Sequence, residues 1–520
     1  MPVRDAGAQQ SPSQRPRIGL ALSGGGARGA AHIGVLKVLE SMRVPVDCVA
    51  GTSMGAVVGG AYAAGTSAEE MEQVVANTDW VDVFTDQPPR GEISIRRKED
   101  DYKGLFAPEF GIRDGAILLP KGVVAGVTIE GFLRRLSAPA ASVSEFDRLP
   151  IPYRAVATDI ATGEEVVLAR GSLVRAMRAS MAIPGALAPV EIDDRLLVDG
   201  GISNNLPIDV VRNLCNAEVV IAVNIGTPAL TREQLGSSLA IVGQLTSFLG
   251  KATVDRQLAG LTARDVLIAP DLGDISAASF DRQKEAIAIG EVAARRQAGA
   301  LAGYAVSPAQ YAALRERRQH AGTVLGPVDE IRFEGIERTN AEVLSTLMAS
   351  KPGRPLTEPQ LDADLRRIYG RGDFESVDYR IERGPGRSAL VVQVREKSIG
   401  PDYLRFGLAL ASDFHGQAHF NALASYRRTW LNRAGGEWLS EAQVGKDNYL
   451  FSEFYQPFER RGRYFVAPYA RISRSTEDIF VGDDRVARYE VTETRLGVDL
   501  GTTLGTWGEV RIGPIFRDLD

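Results

Sequence analysis

At 520 residues the chain is too long for a single hydrophobic core and predicts about three domains. With 44% hydrophobic and 24% charged residues it has the make-up of a folded protein. A formal net charge of -6, with no basic stripe along the chain, argues against nucleic acid as a partner.

From the N-terminus, Met1 to Pro16 is polar and lacks an apolar core, so no signal peptide is expected. No uninterrupted apolar run is long enough for a membrane helix. Ile18-Gly19-Leu20-Ala21-Leu22 reads as a buried strand. It runs into Ser23-Gly24-Gly25-Gly26-Ala27-Arg28-Gly29 and then a helix with Ile33, Leu36, Leu39 and Met42 on one face. A Gly-rich loop that opens a helix aims several backbone N–H groups at one anion, either a dinucleotide phosphate or a transient oxyanion. Val44 to Ala50 reads as a second strand, followed by Gly51-Thr52-Ser53-Met54-Gly55 and the helical Ala56 to Ala64, which is the context of a nucleophile elbow. Gly51 and Gly55 permit the strained turn, and Ser53 is the candidate nucleophile; the bland alternative is a small-residue turn with a solvated serine. The dinucleotide reading needs an acidic residue closing the second strand. Asp47 opens that strand instead, which favours the oxyanion.

Between Trp80 and Gly122 lies a charged stretch, Ile95 to Lys103. Its basic residues would meet phospholipid head groups or form a solvated loop whose charges cancel locally. Strand-like Tyr153 to Thr158 and Glu165 to Ala169 follow. Leu196-Leu197-Val198 then delivers Asp199 into the Gly200-Gly201 turn, and Val219 to Ile225 suits the centre of a parallel sheet. The histidines are His32, His320, His415 and His419, and none lies between Ser53 and residue 319, which excludes the Ser, Asp, His order of α/β-hydrolases. His32 reads as a packed or capping residue. An acidic base acting directly on Ser53 is the economical alternative, and Asp199 is the best placed. Cys48 and Cys215 read as core residues with no metal-ligand spacing.

Taken in order, G-G-G-x-R-G, G-T-S-M-G and D-G-G, with Ala179-Ser180-Met181-Ala182-Ile183-Pro184 before the Asp strand, resemble the patatin-like phospholipases over roughly residues 17–305. The resemblance implies an acyl hydrolase with Ser53 as nucleophile, Asp199 as base and Gly24, Gly25, Gly26, Arg28 and Gly29 as the oxyanion loop. It implies no cofactor, metal or calcium. Arg28 would orient that loop, meet phosphate, or serve in a structural pair.

A helical connector, 306–327, leads to a β-α-α-β-β pattern over 328–397 with strands at Val328 to Gly335, Phe374 to Ile381 and Ala389 to Glu396. Its I-x-F-x-G start and G-x-F-x-x-V core resemble a POTRA domain, a binding module whose strand edge can pair with a client. From Tyr403 onward the pattern has period two: Leu404, Phe406, Leu408 and Leu410 alternate with Arg405, Gly407 and Ala409, and Leu496, Val498 and Leu500 behave likewise. Alternation at strand length with aromatic girdles reads as an antiparallel outer-membrane β-barrel, against a soluble β-sandwich.

The whole order resembles the self-secreting phospholipases of the type V pathway, subclass d. The expected fold is multidomain: a three-layer α/β hydrolase, a small α+β POTRA domain, and over 398–520 the N-terminal part of a transmembrane barrel. With room for about seven or eight strands, that barrel is expected to be truncated. The chain as written, with no signal peptide, would then stay in the cytoplasm, whereas the full-length form would expose or release its lipase at the cell surface. Expected partners are phospholipid or another lipid ester, the outer membrane, the barrel-assembly machinery and a second copy of the chain. The competing function is an outer-membrane assembly or transport protein whose N-terminal domain is a non-catalytic binding module.

Overall fold

The computed structural model describes residues 15–520 except 107–108, 121, 123, 125, 227–228, 230, 237, 320–324, 385, 413–417, 460–461 and 482–483. The signal-peptide reading at Met1 to Gln14, His320 and His415 therefore lie outside the described residues. The chain forms two compact units, Met1–Val83 with Phe132–Thr323, and Phe84–Gly131 with Val324–Asp520. The expected hydrolase span 17–305 is thus interrupted: Phe84–Gly131 belongs to the second unit.

Within the first unit, strands β1 (Ile18–Leu22) and β2 (Cys48–Thr52) are separated by helix α1 (Ala30–Ser41), and β2 leads into helix α2 (Met54–Ala63). The hairpin β3 (Phe110–Arg113) and β4 (Ala116–Leu118) goes with the second unit. The first resumes with β5 (Tyr153–Asp159), β6 (Glu165–Leu168), β7 (Val190–Ile192), β8 (Arg195–Asp199), β9 (Val219–Val223) and β10 (Val266–Ile268). The sheet order is β10-β9-β1-β2-β5-β8-β7, with β6 alongside β5. From β10 to β5 the neighbours are parallel, whereas β8 meets β5 antiparallel. Fully buried β1, β2 and β9 explain their unbroken apolar runs, since helices cover a parallel sheet on both faces. The parallel β1 and β2 end at one edge, and β8, although reversed, delivers Asp199 beside Ala157 of β5. Asp47 accepts the Ile18 N–H at 2.8 Å and hydrogen bonds from both terminal guanidinium nitrogens of Arg15 at 2.6 Å, so it pins the start of the sheet. Cys48 and Cys215 form a disulfide across 167 residues; Cys48 is fully buried, as expected of a core residue, whereas Cys215 is only partly buried.

The second unit contains β11 (Glu330–Glu334), helices Ala341–Leu347 and Glu358–Tyr369, β12 (Phe374–Gly384) and β13 (Arg387–Glu396). Their order is β11-β13-β12, with β11 parallel to β13 and β12 antiparallel to it. Leu344, Leu361, Leu365, Phe374, Val377 and Leu390 form its core. Then come β14 (Asp402–Ser412), β15 (Ala418–Arg428), β16 (Glu437–Gly445), β17 (Asn448–Pro457), β18 (Tyr464–Val481), β19 (Asp484–Thr503), β20 (Glu509–Ile512) and β21 (Ile515–Leu519). These strands join β3 and β4 in one ten-stranded antiparallel sheet, β20-β19-β18-β17-β16-β15-β14-β3-β4 with β21 on β19. Phe406, Leu408, Leu410, Trp438, Leu496 and Leu500 are exposed, whereas Arg427, Glu437, Glu441 and Glu453 are buried. Apolar side chains outward and charged ones inward is the reverse of a soluble sandwich and the polarity of a membrane barrel.

Candidate active site

Ser53 stands between β2 and α2 at φ 53° and ψ -124°, a backbone region that non-glycine residues rarely occupy. Its flanking glycines are fixed by close approach. A Cβ on Gly51 would lie 2.3 Å from the Gly55 carbonyl oxygen, and one on Gly55 2.3 Å from that of Leu22. The turn is held by Ser180, whose Oγ accepts the Ser53 N–H at 2.9 Å and donates to the Val156 carbonyl.

Asp199 ends β8, and Ser53 Oγ donates to its Oδ2 at 2.7 Å across 146 residues of sequence. Its other oxygen accepts the Gly201 N–H at 2.7 Å, so the D-G-G turn orients the carboxylate. Gly200 approaches the Val156 carbonyl so closely that a Cβ would sit 2.1 Å from it. Ser53 and Asp199 are 6% and 4% exposed. Burial pushes the Asp199 carboxyl up to about 6, against the opposing pull of the Ser53 hydroxyl and the Gly201 N–H.

The Gly loop divides its labour. The Gly24 N–H donates to the Asn205 main-chain and side-chain oxygens at 3.2 Å, and the Ala27 N–H to Ala277 at 2.8 Å. The Gly25 and Gly26 N–H groups have no protein acceptor among the described residues. Gly26 has φ 59°, and a Cβ there would lie 2.3 Å from the Ala277 oxygen. The Arg28 guanidinium donates to the carbonyls of Gly226, Ile275 and Ile225, bracing the loop. Gly29 lies against Met54. His32 is fully buried with Nε2 donating to the Ser23 carbonyl at 2.8 Å, and burial lowers it to about 4, so it is neutral and turned to the loop backbone. Beside Met54, Ala27, Val57, Val58, Trp80 and Phe132 line a narrow apolar cavity of about 20 Å³.

The sequence reading did not assign roles to Ser180 and Asn205. Ser180 lies in the quoted A-S-M-A-I-P block, but neither residue ends a strand at a Gly-rich turn, so no local signal marks what they hold.

Residues 20–212 match the family model for patatin-like phospholipase, and residues 327–397 match POTRA, a surface antigen variable number repeat. The chain joins a patatin-like phospholipase domain to a POTRA domain. The patatin-like domain is 39% identical over 213 residues to an uncharacterized NTE family protein of Mycobacterium tuberculosis (strain H37Rv), covering 41% of this chain and 50% of that protein. It is 35% identical over 212 residues to patatin-like phospholipase domain-containing protein 6 of Homo sapiens, covering 40% of this chain and 13% of that protein. The chain therefore spans half or less of these relatives. Among solved structures, BamA from Haemophilus ducreyi lacking POTRA domains 1-3 aligns at 15% identity and TM-score 0.29, over 38% of this chain and 36% of that one.

Proposed function

We propose that the patatin-like domain is a lipid acyl hydrolase of the phospholipase A type, with Ser53 as nucleophile and Asp199 as base. The observation that carries this reading is the 2.7 Å hydrogen bond from Ser53 Oγ to a buried carboxylate, made from a strained elbow, together with a Gly loop whose Gly25 and Gly26 N–H groups have no acceptor among the described residues. As Oγ bonds to the ester carbonyl carbon, its proton passes to Asp199 Oδ2, and the carbonyl π electrons move to an oxyanion facing the Gly25 and Gly26 N–H groups. Collapse breaks the bond to the alcohol, which leaves with the proton from Asp199. Water then attacks the acyl-enzyme, gives a proton to Asp199 and releases the acid, and the proton returns to Ser53. A carboxyl raised to about 6 is ionised at neutral pH yet more basic than an exposed aspartate, as a general base should be.

The second unit reads as the carrier, with β14 to β21 in the outer membrane and the hydrolase exported. Three observations support this: the outward apolar and inward charged faces of the sheet, the POTRA domain, and a disulfide, which persists in oxidising compartments. No helix among the described residues is long and apolar enough to cross a membrane. The competing reading, a non-catalytic binding module, is separated by activity-based labelling. A fluorophosphonate should modify Ser53 of the full chain, read by mass spectrometry, and leave Ser53→Ala unlabelled. An unmodified Ser53 in a folded chain would sink the hydrolase reading.

A further inference from the structure

Within the charged stretch 95–103, Asp101 stays exposed and pairs locally with Arg90. Arg96, Arg97, Asp100 and Lys103 instead find partners hundreds of residues away, within the second unit. On the POTRA side, Arg366 donates to the Glu92 carboxylate, the Ser94 N–H donates to the Gly370 carbonyl at 3.0 Å, and Arg97 Nε to the Arg371 carbonyl at 2.8 Å. Against the inner face of the sheet, Arg96 donates to Glu453 at 2.7 Å and lies over the Tyr455 ring at 4.5 Å. Arg97 reaches both oxygens of Glu437 at 3.2 and 3.3 Å, and Lys103 reaches Glu441 at 2.6 Å. Asp100 takes two hydrogen bonds from Arg427, at 2.8 and 2.7 Å, and one from Arg405 at 3.2 Å. Further along, β3 pairs with the edge of β14 at Tyr403 and Leu404, and the Phe106 N–H donates to the Phe406 carbonyl at 2.7 Å.

Arg96, Asp100, Arg427, Glu437, Glu441 and Glu453 are each only 5 to 6% exposed. Charges so deeply buried are tolerated only with their partners in place, and withdrawing one side strands the other in a low-dielectric interior. The acidic inner face of β16 and β17 and the basic turn at Arg96 and Arg97 are therefore complementary in charge and mutually dependent. Residues Phe84–Gly131 are nevertheless joined by peptide bonds at both ends to the patatin-like domain.

We propose that Phe84–Gly131 is a docking arm: it holds the patatin-like domain to the POTRA domain and sheet of the same chain without covalent help from the 306–327 connector. Cutting the connector would then leave the hydrolase in place, and release would need the arm to be withdrawn or severed as well. The inference is independent of the proposed chemistry at Ser53.

The test inserts a site-specific protease sequence between Gly322 and Thr323 of the full chain, purified in detergent. After cutting, two fragments should appear on a denaturing gel yet co-elute as one species by size exclusion. Separation on cutting alone would overturn the proposal. With Arg96→Glu and Arg97→Glu together, the fragments should part, the hold being weaker by about a hundredfold or more. Should that variant fail to fold by circular dichroism, Glu92→Ala with Lys103→Ala removes two partly buried contacts and should still lower the retained fraction. Co-elution that survives in the folded variants would assign the hold to another surface and overturn the role of the arm.

Discussion

At the residue scale, the Ser53 and Asp199 pair sets both a pH dependence and a stability trade-off. If Asp199 must be ionised to take the Ser53 proton, kcat/KM for a short-chain ester should rise with pH and level off above about 6, where burial has placed the carboxyl. Ser53→Ala and Asp199→Asn should each remove nearly all turnover, and the double variant should lose little more, because the two act as a unit. Asp199→Asn retaining half the rate would refute the pair, while His32→Gln should cost little. The same burial makes ionised Asp199 a liability for folding. Its folded pKa lies above the usual 3.8, so its favourable contribution holds at low pH and is lost as pH rises through about 6. Removing the charge should then stabilise the protein by about 3 kcal/mol at pH 8. Thermal unfolding should show a higher Tm for Asp199→Asn at pH 8 and no difference below about pH 4; equal curves at both would refute the burial argument.

At the element scale, two Gly-gated strand-to-helix turns meet because β1 and β2 are parallel neighbours, and β8 brings Asp199 from the other side of β5. The loop after β1 is organised around Gly26, whose positive φ and close approach to Ala277 leave no room for a side chain. Gly26→Val should lower kcat by more than it raises KM, since the N–H groups beside it would face charge that develops only in the transition state. Steady-state kinetics on a soluble ester would decide, and an unchanged kcat with a raised KM would point to a ground-state phosphate site. Much of this was legible in the sequence. Glycines bracket Ser53 and follow Asp199 because sterics at those turns admit nothing larger, and that requirement is local. The work of Ser180 and Asn205 was hidden because each acts on backbone more than a hundred residues away.

At the scale of the whole molecule, the disulfide links β2, which leads into Ser53, to the end of the helix Ile208–Leu214. Replacing both cysteines by serine should cost about 2–4 kcal/mol in denaturant unfolding under oxidising conditions and nothing against a reduced parent. An identical loss with the parent reduced would mean that packing at Cys48 accounts for the effect. The alternation of apolar and charged residues from Tyr403 onward told which face of each strand would be charged, because side-chain direction in a strand has period two whatever surrounds it. The β-α-α-β-β grammar of 328–397 and the strand, turn and helix of the elbow were likewise fixed by periodicity and turn chemistry, which act over a few residues. The pairing of Cys48 with Cys215 and the burial of Arg96 against Glu453 were decided only in three dimensions. A charge in a sequence carries no record of its partner's distance, and only the fold determines whether it faces water or an opposite charge 357 residues away.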